Sequence, residues 1–354
     1  MTYRIGIVGG SGFIGSSLAG HLSKSFRVKV LDVKELPESV RGKVDYAFCD
    51  VKDYEQIREG LRDMDLVIHT AIVQIPLINE QKKLGYEVNV IGTQNVCRAV
   101  DENPQMKGMI LASSWHTIGE SGLEGVIDEE FGFRPDRVED RAKLYALSKI
   151  AQESIVRFYD EMSGKVFGII RMGTVLGDGM PEKTAANIFI ERALKGETIT
   201  PYKHSMYRPM LYVDIGDVCL AYERFAIKIL KGDVRKGGNS LAHIVNVYYP
   251  SPITILDLAQ IVQRAMMKLT NNAIQPRIEI IDTGQKPLFR EDDKNRIKVN
   301  IKKPFISWLK QTQKPRRINR GNSQEEAYEH ICTELIKEQE QNYVFACVKS
   351  SKRI

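Results

Sequence analysis

Gly9-Gly10-Ser11-Gly12-Phe13-Ile14-Gly15 follows the apolar stretch Arg4-Ile5-Gly6-Ile7-Val8 and leads into a run of Leu, Ala and small residues from Phe13 to Ser23. A strand, a tight glycine turn and a helix N-terminus in succession make an anion site, because free backbone N–H groups and the positive helix end converge on one spot. Gly9 permits a sharp exit from the strand, Gly12 lets a pyrophosphate approach the backbone, and Gly15 lets helix and strand pack closely. The spacing, Gly-x-x-Gly-x-x-Gly, is one residue longer at the front than the commonest dinucleotide fingerprint.

The next apolar strand, Val28-Lys29-Val30-Leu31, ends in Asp32. A carboxylate about 20 residues beyond the glycines accepts the hydroxyls of an adenosine ribose and repels a 2′-phosphate, which favours NAD over NADP. Lys34, close by in sequence, softens that repulsion.

Outward from this loop the chain alternates. The pattern predicts strands at 4–8, 27–31, 44–48, 65–69, 107–113 and 165–171, and helices at 13–23, 53–61, 80–101 and 140–162. Such alternation implies an α/β fold, a Rossmann-type doubly wound parallel sheet with helices on both faces and right-handed crossovers. Ligands of such sheets lie outside the carboxyl ends of the strands, where Asp50-Val51, His69-Thr70-Ala71, Ser113-Ser114 and Arg171-Met172-Gly173 fall. Past residue 171 the alternation becomes irregular, with loops around 177–181 and 201–209, which suggests a smaller C-terminal substrate lobe. The expected organisation is an NAD-binding domain over 1–171, with parts of 207–250 returning to it. A partly discontinuous substrate lobe over 172–300 and a basic tail over 301–354 complete it.

Composition fits a soluble enzyme of a reducing, cytoplasmic compartment: 43% apolar, 27% charged, and five scattered cysteines (Cys49, Cys97, Cys219, Cys332, Cys347) outside any metal spacing. No apolar run approaches membrane-spanning length, and Met1 leads directly into the first strand, so neither a membrane span nor a signal peptide is expected. The net charge of +6 gathers near the end, where Lys302, Lys303, Lys310, Lys314, Arg316, Arg317 and Arg320 cluster. No aromatic pattern or motif accompanies them, which argues for a solvated tail and against nucleic-acid binding.

Tyr145-Ala146-Leu147-Ser148-Lys149 opens a long amphipathic stretch. Residues at i and i+4 share a helix face, so an ammonium stands one turn from a phenol. A phenol with an ordinary pKa near ~10 is a poor base, and a neighbouring cation favours its phenolate. The phenol can then take a proton from a substrate hydroxyl while hydride leaves the same carbon for a nicotinamide. Ser113 or Ser114, at the preceding strand's end, can hydrogen-bond the substrate oxygen as it becomes a carbonyl.

Together these features resemble the extended short-chain dehydrogenase/reductases, the NAD-dependent epimerase/dehydratase family, over roughly residues 3–230. The motifs that carry the resemblance are the glycine loop, Asp32, Asp50-Val51, Val67-Ile68-His69-Thr70-Ala71, Asn89-Val90-Ile91-Gly92-Thr93, Ala112-Ser113-Ser114, Tyr145-x-x-x-Lys149 and the Arg171 strand end. The resemblance implies that Gly9, Gly12, Phe13, Ile14 and Gly15 hold the pyrophosphate, Asp32 the adenosine ribose and Asp50-Val51 the adenine. Ala71 would line the nicotinamide side, and Lys149 would also contact the nicotinamide ribose. Ser114 aligns with the family's serine, Tyr145 with its acid/base, and Asn89 with a residue that braces the sheet. The stretches 80–101 and 140–162 resemble a helix pair that builds a four-helix homodimer interface.

Substrate-side departures are informative. Nucleotide-sugar members usually read Arg-x-x-Asn-x-x-Gly, where this chain has Arg171-Met172-Gly173-Thr174-Val175-Leu176-Gly177. The stretch Ser113-Ser114-Trp115-His116-Thr117-Ile118-Gly119 is closer to uronate dehydrogenases, which oxidise a free sugar acid. Arg208 and Val213-Asp214-Ile215 lean back toward nucleotide-sugar enzymes, although the Arg sits further off than usual. His116 can bond a substrate carboxylate or be satisfied by backbone. Arg171 and Arg208 can bind a phosphate or carboxylate, or serve as structural ion pairs. His69 reads as a structural strand-end residue. The expected activity is hydride transfer at a hydroxyl-bearing carbon of a sugar or nucleotide sugar, by an epimerase or dehydratase. A net sugar or uronate dehydrogenase is the first alternative, and an NAD(P)-sensing protein without turnover is the second.

Overall fold

Ile5, Ile7, Val30, Leu31, Leu66, Val67 and Ile68 are fully buried, consecutive residues among them included. Strands that hide both faces need helices on both sides, and the near-continuous apolar runs of the sequence demand that arrangement. The computed structural model describes residues 2–234, 240–300 and 328–337. Strands β1 (Arg4–Val8), β2 (Arg27–Asp32), β3 (Asp45–Phe48), β4 (Leu66–His69), β5 (Gly108–Ser114), β6 (Val166–Met172) and β7 (Ile244–Val247) form one sheet. Its order is β7-β6-β5-β4-β1-β2-β3, with every pairing parallel. Chain order reverses between β1 and β4, and the crevice of such a sheet opens at that reversal.

Helices α1 (Phe13–Leu22), α2 (Tyr54–Gly60), α3 (Gly92–Glu102), α4 (Lys143–Met162) and α5 (Ile215–Lys231) accompany the sheet. Asp53 caps α2 by accepting from the N–H groups of Glu55 and Gln56. The single helix expected over 80–101 is corrected. Short helices Leu77–Glu80 and Lys82–Tyr86 are separated at Gln81, whose φ of −121° and ψ of 66° are not helical, and a π-turn over Glu87–Ile91 precedes α3. The stretch expected to be helical from 140 begins as a 3-10 turn, Asp140–Ala142, so Tyr145 stands in the first turn of α4.

By its contacts the chain forms two units. Among the described residues, the first comprises those of 2–120, 128–174 and 215–248 and holds the sheet; the second comprises those of 121–127, 175–214, 249–300 and 328–337. Within the second, helices Ala185–Leu194 and Ile255–Leu269 pack on each other. Thr184 caps the former, and Thr254 with Asp257 forms a capping box on the latter. Strand Ile253–Thr254 pairs with Pro209–Met210, and Ile297–Val299 with Gly125–Ile127. Residues 328–337 are helical, and the Tyr328 hydroxyl donates to the Ser251 carbonyl at 2.9 Å.

Cys49, Cys97, Cys219 and Cys332 are buried free thiols. Cys347 and the basic cluster from Lys302 to Arg320 lie outside the described residues. Among the described residues, no helix is long and apolar enough to cross a membrane.

Candidate active site

The glycine loop joins β1 to α1 beside the end of β4. Gly9 has φ +82°, and a Cβ there would lie 2.3 Å from the Ala71 backbone nitrogen, so both its conformation and its neighbour demand glycine. A Cβ on Gly15 would meet the Gly9 oxygen at 2.4 Å, which explains the close approach of helix and loop. Gly12 is different. It is exposed, a Cβ there would meet only the Gly9 oxygen at 3.7 Å, and as the N-cap of α1 it supplies no side-chain bond. The first-turn N–H groups of Phe13, Ile14 and Gly15 thus open onto a cradle that a side chain would fill. That space, with those donors, fits a pyrophosphate.

Asp32 ends β2. Its carboxylate accepts the Ser11 N–H at 2.9 Å and the Lys34 N–H at 3.0 Å, one on each oxygen. These bonds aim it at the loop and leave lone pairs for a ribose diol. Asp50 accepts from the Lys52 N–H at 3.0 Å and pairs with the Lys52 ammonium at 3.4 Å. Val51 is buried, and its carbonyl accepts the Asn95 amide at 3.0 Å. Ala71 is half-buried and donates its N–H to the Val8 carbonyl at 3.0 Å, tying the ends of β4 and β1 together.

Ser114 ends β5, buried, and stands beside the half-buried Tyr145 phenol, whose pKa it lowers. Lys149 lies one turn further along α4. It is buried, donates to the Ala112 carbonyl at 2.6 Å, and sits 5.9 Å from the Tyr145 ring centroid. Burial pushes the Lys149 pKa down to about 7, against the opposing pull of Glu153. Burial likewise pushes the Tyr145 phenol up to about 12, with only the neighbouring Ser114 lowering it. In the structure, desolvation dominates both groups and outweighs the ammonium's expected pull on the phenol.

Two residues proposed to meet substrate are committed elsewhere. Arg171 is 2% exposed, and its guanidinium grips Glu153 through Nε (3.0 Å) and Nη2 (2.8 Å) while Nη1 donates to the Glu129 carbonyl (3.1 Å). Ser113 donates to the same Glu153 carboxylate at 2.5 Å. Both belong to a buried network rather than to a substrate pocket, because Glu153 already neutralises the buried guanidinium. Thr174 accepts the Trp115 indole N–H at 3.4 Å. Arg208 lies in the second unit and is buried there. His116 meets Ser114 and Glu120.

Glu153 and Glu120 are the residues that sequence reasoning missed. Glu153 was findable, since Tyr145, Lys149 and Glu153 follow at i, i+4 and i+8 on one face of α4. His69 is fully buried, bonds the Thr93 hydroxyl through Nε2 at 2.9 Å, and is pushed down to about 3 by burial and by Lys149. Asn89 accepts the Val73 N–H at 2.7 Å and donates to the Val73 carbonyl and the Ser148 hydroxyl. Among the described residues, no group of three or more His, Cys, Asp or Glu is placed to hold a metal ion.

Comparison with known proteins places this geometry. The family model described as NAD dependent epimerase/dehydratase family matches residues 5–234. A candidate UDP-glucose 4-epimerase of Methanocaldococcus jannaschii is 27% identical over 225 residues, covering 61% of this chain and 70% of that one. The bovine sterol-4-alpha-carboxylate 3-dehydrogenase, decarboxylating, is 29% identical over 55% of this chain and 52% of its own length. UDP-glucuronate 4-epimerase 5 of Arabidopsis thaliana is 31% identical over 53% of this chain and 43% of its own. The chain thus spans about half or less of the latter two relatives. The crystal structure of Thermus thermophilus UDP-glucose 4-epimerase with NAD superposes with TM-score 0.69 at 23% identity, over 93% of this chain and 98% of that one, and the two share a fold.

Proposed function

Because the chain belongs to the NAD-dependent epimerase/dehydratase family, we propose that it is an NAD-dependent enzyme acting at a hydroxyl-bearing carbon of a sugar or nucleotide sugar, with epimerase-type chemistry. The observation that carries this reading is the juxtaposition of Ser114 and the Tyr145 phenol, with Lys149 one helical turn away. Gly9, Gly12, Phe13, Ile14 and Gly15 would hold the pyrophosphate of NAD and Asp32 its adenosine ribose, with Asp50, Val51 and Ala71 along its flanks. When bound, NAD supplies a hydride acceptor.

The chain's own groups handle the proton. Ser114 orients the substrate oxygen and stabilises charge on it as it becomes a carbonyl. Tyr145 accepts the hydroxyl proton and returns it, and Lys149 provides the positive field that favours a phenolate. In the epimerase reading the oxidised sugar is held and reduced on its other face. A net dehydrogenase of a free sugar or uronate is the second reading. It is favoured by Thr174, which stands where nucleotide-sugar members carry Asn and accepts the Trp115 indole N–H.

Absorbance at about 340 nm, the reduced-nicotinamide band, separates the two. Protein with excess NAD is offered UDP-sugars, free uronates and aldoses. Isomerised UDP-sugar with no NADH accumulation supports the epimerase, and steady NADH with a free sugar supports the dehydrogenase. Tyr145→Phe is expected to lower turnover by at least ~100-fold, the usual scale of acid–base catalysis, while NAD affinity stays within about twofold. Normal turnover in that variant would sink the assignment.

A further inference from the structure

Tyr145, Lys149 and Glu153 share one face of α4 at successive turns, and the last of them is a fully buried carboxylate. Arg171 of β6 grips it, Nη2 to Oε2 at 2.8 Å and Nε to Oε1 at 3.0 Å. Ser113 of β5 donates its hydroxyl to Oε1 at 2.5 Å. Ser113 and Arg171 stand opposite each other in the register of β5 and β6, so one carboxylate on α4 reaches two strands at once. Lys149 donates to the carbonyl of Ala112, next to Ser113, at 2.6 Å. Three consecutive residues at the end of β5, Ala112, Ser113 and Ser114, thus meet Lys149, Glu153 and Tyr145 on three turns of one helix.

The geometry works as a lock. A bidentate guanidinium fixes the plane of the carboxylate, and the Ser113 bond fixes its height on β5. A helix advances about 1.5 Å per residue, so a slip of one residue would carry bonds of 2.5 and 3.0 Å beyond hydrogen-bonding range. The charge matters as well. Burial disfavours the Lys149 ammonium, and Glu153 is the group that pulls it back toward its charged form. Stability alone does not call for such a group, since apolar replacements of buried ion pairs are often neutral or stabilising. A carboxylate two turns from the phenol, bonded to the strand that carries Ser114, is placed to serve the site.

We propose that Glu153 is a positioning residue for the reaction: braced by Arg171 and Ser113, it holds Ser114 in register with Tyr145 and keeps Lys149 charged. This role rests on the oxidoreductase reading above, in which Lys149 acts as a cation. Glu153 touches neither substrate nor cofactor in it; its effect passes through Lys149 and through the backbone of β5.

Two measurements test the role. The first uses no substrate: in full-length protein carrying isotope-labelled lysine, the Lys149 side-chain resonance, assigned by its loss in Lys149→Met, is titrated by NMR. Glu153→Gln is expected to make Lys149 release its proton at least about one pH unit lower than in wild type, the low end of a neighbouring charge's effect. Glu153→Gln combined with Arg171→Met removes both charges, keeps the fold where the single variant does not, and is expected to shift Lys149 in the same direction. The groups around the ammonium leave few other causes. Burial keeps His69 of β4 neutral above about 3 and Tyr145 protonated below about 12. His116, edge-on to the Tyr145 ring, is unaltered in every variant and cancels in the comparison.

The second measurement is kinetic, with the sugar identified by the absorbance panel. Ser113→Ala is expected to lower kcat by about 10- to 100-fold, the scale of a misplacement of about 1 Å, while KM, NAD affinity and the circular dichroism spectrum stay as in wild type. A purely structural loss would lower the melting temperature and leave kcat of the folded protein intact. An unmoved Lys149 titration, or a Ser113→Ala kcat within about twofold of wild type, overturns the assignment. Turnover that survives Tyr145→Phe instead overturns the parent reading, and the Lys149 titration still decides whether Glu153 holds the charge.

Discussion

Lys149 is held in an environment that works against its own charge. Its ammonium gives up its proton at about 7, whereas an ordinary lysine holds it to about 10.4. Between those values the unfolded chain binds more protons than the folded one, so stability rises with pH, and it is lost as pH falls through the folded value. Lys149→Met removes the penalty with little change in shape. The variant is expected to gain stability, and to gain more at about pH 6 than at about pH 9, by urea denaturation. Equal gains at both would show that burial does not disfavour the ammonium. Glu153 is the opposite case, since its carboxylate neutralises Arg171 and accepts from Ser113. Glu153→Gln leaves a buried guanidinium without its counter-charge and is expected to cost about 3–5 kcal/mol in the same measurement. A loss below about 1 kcal/mol, the scale of an exposed pair, would mean that Arg171 finds another partner.

The loop between β1 and α1 separates two jobs of glycine that sequence alone runs together. Gly15 is pressed against Gly9 and Gly10, while Gly12 faces open space. Gly15→Ala is therefore expected to lower the melting temperature by several degrees, because its methyl group collides with backbone. Gly12→Ala is expected to keep the fold within about 1 kcal/mol yet to weaken NAD binding by fluorescence titration. Both variants losing NAD in proportion to their stability would dissolve the distinction. Most of the sheet was legible because alternating short apolar runs and amphipathic stretches have few other solutions. The π-turn over Glu87–Ile91 was not, since an apolar pattern does not tell a wide turn from a regular one, and the bonds of Asn89 to Val73 are made between segments. In the site, Ser114, Tyr145 and Lys149 stood out by motif. The commitment of Arg171 was hidden, because a strand-end guanidinium looks the same in sequence whether it faces a cleft or a glutamate on the next helix.

On the scale of the whole molecule, α4 presents a side that its own unit does not cover. Leu147, Ser154, Phe158 and Met162 recur at helical spacing along one face of α4, and Phe158 is 70% and Met162 57% exposed. Tyr86, just before the π-turn, and Ile91, its last residue, are 60% and 40% exposed. Single exposed apolar side chains need no explanation, but Leu147, Phe158 and Met162 recurring along one helix face mark a surface that water does not favour. Two copies joined about a two-fold axis would set this stripe against itself, giving four helices with an apolar seam. This agrees with the homodimer that the resemblance of these helices implies. A stable dimer of ordinary size buries about 1,600 Å² in all, so one charge at the centre of the stripe should be decisive. Wild-type protein is expected to sediment as a dimer, and Phe158→Glu as a folded monomer with an unchanged circular dichroism spectrum. Burying the new carboxylate without a partner costs far more than the phenyl ring contributed. A wild-type monomer at micromolar concentration, or a Phe158→Glu protein that remains dimeric, would place the interface elsewhere and leave the stripe to another partner.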